Sequence, residues 1–199
     1  MHFRNLNEDI DHVLVTEKQL EETVTRIAGE IDRDQRERDS DLLLLGILKG
    51  SVVFMGDLMK KIRTPMEIDF MKVSSYGGST VSSGDLKIAL DFQRENIENL
   101  DIVVVEDIID SGNTLSRLVE YLKEKGARSV RTCTLLDKPE RRQVEFTPDY
   151  VGIEVPDEFV VGYGLDYAQK YRNLPFIGVV EPDAAEDAPE EAEGAENVT

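Results

Sequence analysis

Only one cysteine, Cys133, occurs in 199 residues, so an intrachain disulfide is impossible and packing must hold the fold. Cys133 lies inside the run Val130-Arg-Thr-Cys-Thr-Leu-Leu136, where a free thiol behaves as a small buried hydrophobe. Histidine is scarce too. His2 and His12 both sit in the polar N-terminal segment, outside every motif, which reads as surface and leaves the thiol without an imidazole to activate it. No stretch approaches eighteen uninterrupted apolar residues, and the first nine residues show no apolar block after their positive charge. A membrane-spanning helix and an export signal are therefore not expected, and a cytoplasmic setting is. Positive charge is in deficit: 23 Lys and Arg stand against 41 Asp and Glu, a net −18 whose average field repels nucleic acid.

Eight of those negative charges fall in residues 181–199, which contain no basic residue. Such a tail, rich in Ala, Glu and Pro, cannot bury enough apolar surface to offset its chain entropy. The expected organisation is one domain over residues 1–181 and an acidic, disordered tail over 182–199, which serves as a solubilising or salt-adapted surface. With 40% hydrophobic and 32% charged residues, the chain has the composition of an ordinary globular domain.

Thr16-Glu-Lys-Gln19 reads as a capping box opening a helix with Leu20, Val24, Ile27 and Ile31 on its apolar face. Residues 41–48 (Asp-Leu-Leu-Leu-Leu-Gly-Ile-Leu) read as a buried strand, followed by a helix with Met55, Leu58, Met59 and Ile62 on one side. Further strands are expected at 65–73, 86–92, 102–105 and 129–136, and Leu115, Leu118, Val119 and Leu122 recur with helical spacing. The alternation predicts an α/β fold with a mainly parallel central sheet flanked by helices.

The most informative run is Asp101-Ile-Val-Val-Val-Glu-Asp-Ile-Ile-Asp-Ser-Gly-Asn-Thr114. A β-branched strand leads into adjacent carboxylates, Glu106 and Asp107, and then a glycine-containing, hydroxyl-rich turn before a helix. Ligands of open α/β sheets bind beyond the carboxyl ends of strands, and a helix start offers N–H groups to an anion, so residues 110–114 suit a phosphate. Two neighbouring acids repel unless a hard cation or a pair of hydroxyls relieves them, which points to magnesium and a sugar diphosphate. The plainer reading is acids facing solvent beside hydroxyls that cap a helix. Lys49-Gly50 marks a second strand-to-helix turn, and residues 74–84 form a polar loop with three glycines and five serines; taken alone, these are an ordinary turn and a floppy hairpin.

Val103-Val-Val-Glu-Asp-Ile-Ile-Asp-Ser-Gly-Asn-Thr114 resembles the phosphoribosyl-diphosphate signature of the type I phosphoribosyltransferases, in the form found in their hypoxanthine (hypoxanthine-guanine) branch. Leu48-Lys-Gly50, Ser74-Ser-Tyr76, Leu135-Leu-Asp-Lys138, Val151-Gly-Ile-Glu-Val-Pro-Asp157, Phe159-Val-Val-Gly-Tyr-Gly-Leu-Asp166 and Tyr171-Arg172 agree in order. The resemblance spans about residues 8–181.

It implies the corresponding fold, with a small hood built from the N- and C-terminal segments, and transfer of 5-phosphoribosyl from 5-phospho-α-D-ribose 1-diphosphate to N9 of hypoxanthine, and guanine. Mg²⁺ is the implied cofactor, held by Glu106 and Asp107 with Asp166 at a second metal or at the base. Lys49 and Gly50, preceded by a non-proline cis peptide after Leu48, and Arg172 are assigned to the diphosphate. Ser75 and Tyr76 belong to a lid, and Glu106 and Asp107 also meet the ribose hydroxyls. Asp110, Ser111, Gly112, Asn113 and Thr114 surround the 5′-phosphate, Ile109 is counted among the substrate-binding residues, and Asp110 handles a purine proton. Lys138 contacts the exocyclic oxygen, Phe159 stacks on the base, and Val160 meets its edge. Relatives are commonly homodimers or homotetramers. Two rivals remain: a transferase for another base, and an RNA-binding regulator that keeps the fold. The acidic charge opposes the second.

Overall fold

The structure, a computed structural model, describes residues 9–75, 86–92, 94 and 96–180. Tyr76, most of the expected lid and the expected tail over 182–199 lie outside the described residues, and of Ser75 only the backbone is described.

The elements follow in the order β1 (His12–Val15), α1 (Glu17–Gln35), β2 (Asp41–Ile47), α2 (Val52–Lys61), β3 (Met66–Ser75), β4 (Leu86–Leu90), β5 (Leu100–Ile109), α3 (Asn113–Glu124), β6 (Ser129–Asp137), β7 (Tyr150–Glu154), β8 (Val160–Val161) and β9 (Ile177–Val179). Six strands form one sheet in the order β4-β3-β2-β5-β6-β7. Every pairing in it is parallel except that of β4 on β3. This is the expected α/β architecture. A second, antiparallel sheet of order β1-β9-β8 joins the N-terminal strand to the C-terminal segment and forms the hood.

The leucine run of β2 explains why the sheet is covered on both sides. Successive side chains of a strand point to opposite faces; Leu42 and Leu44 enter one core with α1 and α2, and Leu43 and Leu45 enter another with α3. The neighbouring β5 obeys the same parity, with Val103 and Val105 in the first core and Ile102 and Val104 in the second. A strand buried on both faces has no polar positions to alternate. The capping box of α1 is formed as the sequence predicts: Gln19 N–H donates to Thr16 Oγ1 at 3.3 Å, and Thr16 N–H donates to Gln19 Oε1 at 2.9 Å.

Chain order leaves β2 toward β3 on one side, whereas β5 proceeds toward β6 on the other. Parallel sheets open a crevice where the direction of winding reverses, here between the carboxyl ends of β2 and β5. The largest boundary difference from expectation is that β5 continues to Ile109, because β6 keeps pairing with it as far as Ile109↔Asp137 after its pairing with β2 has stopped at Gly46↔Val105. Glu106 and Asp107 consequently stand on strand backbone that has lost one neighbour. Among the described residues, no helix is long and apolar enough to cross a membrane.

The opposite end of β5 is tied down by Asp101, whose side chain is fully buried. Its carboxylate accepts from Ser129, Ser40, Gln35 Nε2 at 3.2 Å and Arg38 Nη1 at 3.3 Å, linking β5 to the ends of α1, β2 and β6. Burial alone would raise its pKa, but these donors together hold it down at about 2. The stabilisation is present above the usual carboxylate range and is lost as pH falls through it toward about 2. Asp101→Asn should therefore lower unfolding free energy by about 3 kcal/mol at pH 7, with a much smaller deficit at pH 2.5, read by urea denaturation at both pH values.

Candidate active site

Strand parity carries over from the core into the crevice. Glu106 continues the face of Val104 and lines a cavity of about 200 Å³ with Ile109, Asp110, Ser111, Gly112 and Thr114 at the start of α3. Asp107 continues the face of Val105 and lies against Gly50, just before α2. A Cβ added to Gly50 would stand 1.5 Å from Asp107 Oδ2, a collision that explains glycine there. Behind Gly50 lies Gly164, at φ +105, where an added Cβ would come within 2.1 Å of the Gly50 carbonyl oxygen. The turn enters through a cis peptide between Leu48 and Lys49, and the buried Ser51 hydroxyl secures it by donating to Ile47 O at 2.6 Å.

The two acids sit in an electrostatic position that neither could hold in water. Burial pushes the Glu106 pKa well up, and the adjacent Asp107 charge pushes it further. Burial also raises Asp107, against the lowering effects of backbone N–H donors and of Arg172. Glu106 Oε2 is buried with no hydrogen-bond partner. Hard oxygen donors of this kind suit a divalent cation that takes its remaining ligands from substrate and water. Among the described residues, no group of three or more His, Cys, Asp or Glu side chains could hold a metal ion.

Below Asp110 the chain turns through Gly112 at φ +80, a left-handed conformation that favours glycine, and α3 begins at Asn113. Asn113 N–H donates to Ser111 Oγ at 3.3 Å. Arg142 fastens this turn by donating to the Asp110 carbonyl and to the Asp137 carboxylate. Asp110 itself has a buried, unpartnered Oδ1, with Arg141 Nη1 3.8 Å from its Oδ2.

Lys138, directly after β6, is only 5% exposed, and its Nζ donates to the Glu158 carbonyl at 2.7 Å. That bond places the ammonium next to the backbone that carries Phe159. The Phe159 ring is 44% exposed although large and apolar, and it stands edge-on to Tyr167 with ring centroids 5.2 Å apart. Val160 follows it, buried in β8. On the other side of the crevice, Lys49 Nζ donates to Gln169 Oε1 at 3.0 Å. Arg172 meets Asp166 at 2.6 Å and donates to the Gly164 carbonyl at 2.7 Å.

Residues 14–168 match the family model described as the phosphoribosyl transferase domain. The chain belongs to the phosphoribosyl transferase family. Over 177 residues, 89% of the chain and 97% of the relative, it is 50% identical to a hypoxanthine-guanine phosphoribosyltransferase of Bacillus subtilis. It is equally similar, over 179 residues, to the bifunctional protein TilS/HprT of Listeria monocytogenes, of whose length it spans 27%. A crystal structure of a hypoxanthine phosphoribosyltransferase from Staphylococcus aureus superimposes with a TM-score of 0.84 at 43% identity, covering 92% of this chain and 98% of that one.

Three residues of this phosphoribosyl transferase's crevice escape the sequence reading: Arg142, Gln169 and Gly164. The Arg141-Arg142 pair shortly after Lys138-Pro139 was a usable signal, since a basic pair beside an anion cradle invites attention. Gly164 stands within the family-like run 159–166 and Gln169 outside every such run, but nothing local marks their partners Gly50 and Lys49, more than a hundred residues distant. Because a raised pKa in the folded state makes a buried acid costlier as pH rises above its usual value, Glu106→Gln should stabilise the ligand-free protein. Melting temperature should rise by about 3 °C or more at pH 8 and change little at pH 4.5, as checked by scanning calorimetry.

Proposed function

We propose that this phosphoribosyl transferase moves 5-phosphoribosyl from 5-phospho-α-D-ribose 1-diphosphate to N9 of hypoxanthine, and of guanine, forming IMP or GMP and diphosphate in purine salvage. Its support is the 50% identity to the Bacillus subtilis enzyme over nearly its whole length. The observation that carries the chemistry is the half-buried pair Glu106 and Asp107 at the winding reversal, beside the turn that opens α3. Because the chain spans 27% of the bifunctional relative, the activity of the whole protein belongs to the same proposal.

In the reaction the C1–O bond to diphosphate breaks, the bond from N9 to C1 forms, and the purine gives up a proton. Residues 110–114 hold the 5′-phosphate against the α3 N-terminus. Glu106 and Asp107 take the ribose hydroxyls or Mg²⁺, and when bound there the ion neutralises charge gathering on the departing diphosphate. The unpartnered Glu106 Oε2 and the all-oxygen character of the pair fit that ion. Lys49, the Gly50 backbone and Arg172 hold the diphosphate, Arg172 through a planar fork that grips two oxygens. Asp166, now paired with Arg172, is available to a second metal.

Asp110, with a buried oxygen lacking a partner, accepts the purine proton and so raises the nucleophilicity of N9. Lys138 spends one of its three donors on the Glu158 carbonyl and directs the others at the exocyclic oxygen of a 6-oxopurine; adenine would present an amino donor to it. Phe159 stacks on the base and Val160 supplies backbone to its edge. Ser75 and Tyr76 close over the diphosphate and exclude water that would hydrolyse the donor. A cytoplasmic setting completes the proposal, since the charged donor does not cross a bilayer unaided.

Initial rates with donor, Mg²⁺ and a panel of bases test the assignment. Hypoxanthine and guanine should exceed adenine in kcat/KM by about 100-fold or more, and a preference for adenine or orotate would overturn it. Asp110→Asn should lower kcat by about 100-fold with donor KM little moved. Lys138→Gln should act mainly on the purine KM.

A further inference from the structure

Gln169 belongs to none of the motifs that define the crevice, yet its side chain joins the two cations assigned to the diphosphate. Its Oε1 accepts from Lys49 Nζ at 3.0 Å and lies 3.4 Å from Arg172 Nη2. Its own backbone N–H donates to Asp166 Oδ2 at 2.9 Å, while the other oxygen of Asp166 meets Arg172 at 2.6 Å. The backbone that delivers it is held in the left-handed region at Ala168 (φ 48), Gln169 (φ 64) and Tyr171 (φ 71). Three non-glycine residues in that region within four positions carry a conformational cost, which persists only where surrounding contacts enforce it.

The chemistry of the side chain matters as much as its place. Lys49 and Arg172 repel each other; Arg172 is held by Asp166 and the Gly164 carbonyl as well, whereas Lys49, on a long, rotamer-rich stem, is held beside it through Gln169. A carboxylate between them would hold them together but cancel charge that the diphosphate needs. A neutral amide oxygen accepts from both without adding to the negative charge that Asp166 already sets against Arg172.

We propose that Gln169 is a positioning residue, whose side-chain carbonyl stands in for a diphosphate oxygen and keeps Lys49 and Arg172 convergent until the donor, or the product diphosphate, takes its place. The inference rests on the functional reading above. Its consequence is a preorganised anion site: the ordering of two cationic side chains is completed before the donor arrives, so less binding energy goes into arranging them.

Calorimetric titration of diphosphate with Mg²⁺ into wild type, Gln169→Ala and Gln169→Glu, beside steady-state kinetics, tests this. Gln169→Ala should weaken diphosphate binding and raise donor KM together by about tenfold, with kcat falling less than affinity and purine KM moving less than twofold. Gln169→Glu should bind diphosphate more weakly still at low salt, and its excess deficit over the alanine variant should shrink as ionic strength is raised. Circular dichroism melts should superimpose for all three, separating a local role from a folding defect. Wild-type diphosphate affinity in Gln169→Ala, an equal rise in purine and donor KM, or a glutamate deficit indifferent to salt would overturn the clasp alone. Failure of the wild-type enzyme to bind diphosphate would overturn the functional reading with it.

Discussion

The contact between the Asp107 carboxylate and Gly50 governs the crevice. Only a residue without a side chain admits the acid where β2 turns into α2, and Gly50 in turn is backed by Gly164, whose missing Cβ leaves room for the Gly50 carbonyl. Three chain segments far apart in sequence thus meet within van der Waals distance. The positions of Lys49, of the adjacent acid Glu106, and of the loop carrying Asp166 and Arg172 all follow from that meeting. A methyl group at either glycine would push backbone or carboxylate apart, and the rest of the sheet has no freedom to absorb the shift, because β2 and β5 are packed on both faces.

A single strand shows how the same residue chemistry is put to two uses. At the start of β5, Asp101 is buried and surrounded by donors that hold it ionised. At its other end, Glu106 is half-buried, with one oxygen shut away and unpartnered and its pKa driven up. The first acid is satisfied by the protein and fastens helix, strands and loop together. The second has an oxygen that the protein leaves without a donor, and its cost is tolerated because the cores on either side are tightly filled. Each has a carboxylate oxygen shut away from solvent, so that alone distinguishes neither; the presence or absence of donors does.

The same distinction explains what the sequence could reveal. The leucine run of β2, the β-branched block of β5 and the capped, amphipathic α1 announce themselves, because each is a local pattern matched to its own period. The run from Glu106 to Thr114 is equally legible, since strand, acids, turn and helix are consecutive. The hood was legible only through resemblance: β1, β8 and β9 contain four, two and three residues, too short to show alternation. β5's extension past Val105 depends on which neighbour keeps pairing, a property of the sheet as a whole. Gly164 and Gln169 act across more than a hundred residues, and neither residue type implies such a partner. Arg142 lay closer to view, but that it binds the Asp110 carbonyl is a fact of the fold.

Base and leaving group, as assigned above, are approached by one continuous stretch. It runs from Phe159 and Val160 in β8, through Gly162, Tyr163 and Gly164 at positive φ, to Asp166, Gln169 and Arg172. Gly162 is pinned against Phe176, where an added Cβ would lie 2.1 Å from its carbonyl oxygen, as Gly164 is against Gly50. Tyr163 bonds through its hydroxyl to Asp57 of α2 at 2.6 Å. The stretch is therefore anchored at three consecutive residues, midway between Phe159, the aromatic proposed for the base, and Arg172, the cation proposed for the diphosphate. A transferase must keep nucleophile and leaving group at fixed distances on opposite sides of one carbon, since misplacement by an ångström costs heavily in rate. Carrying both sets of contacts on a single backbone, clamped at its centre, meets that demand more directly than two independent loops would.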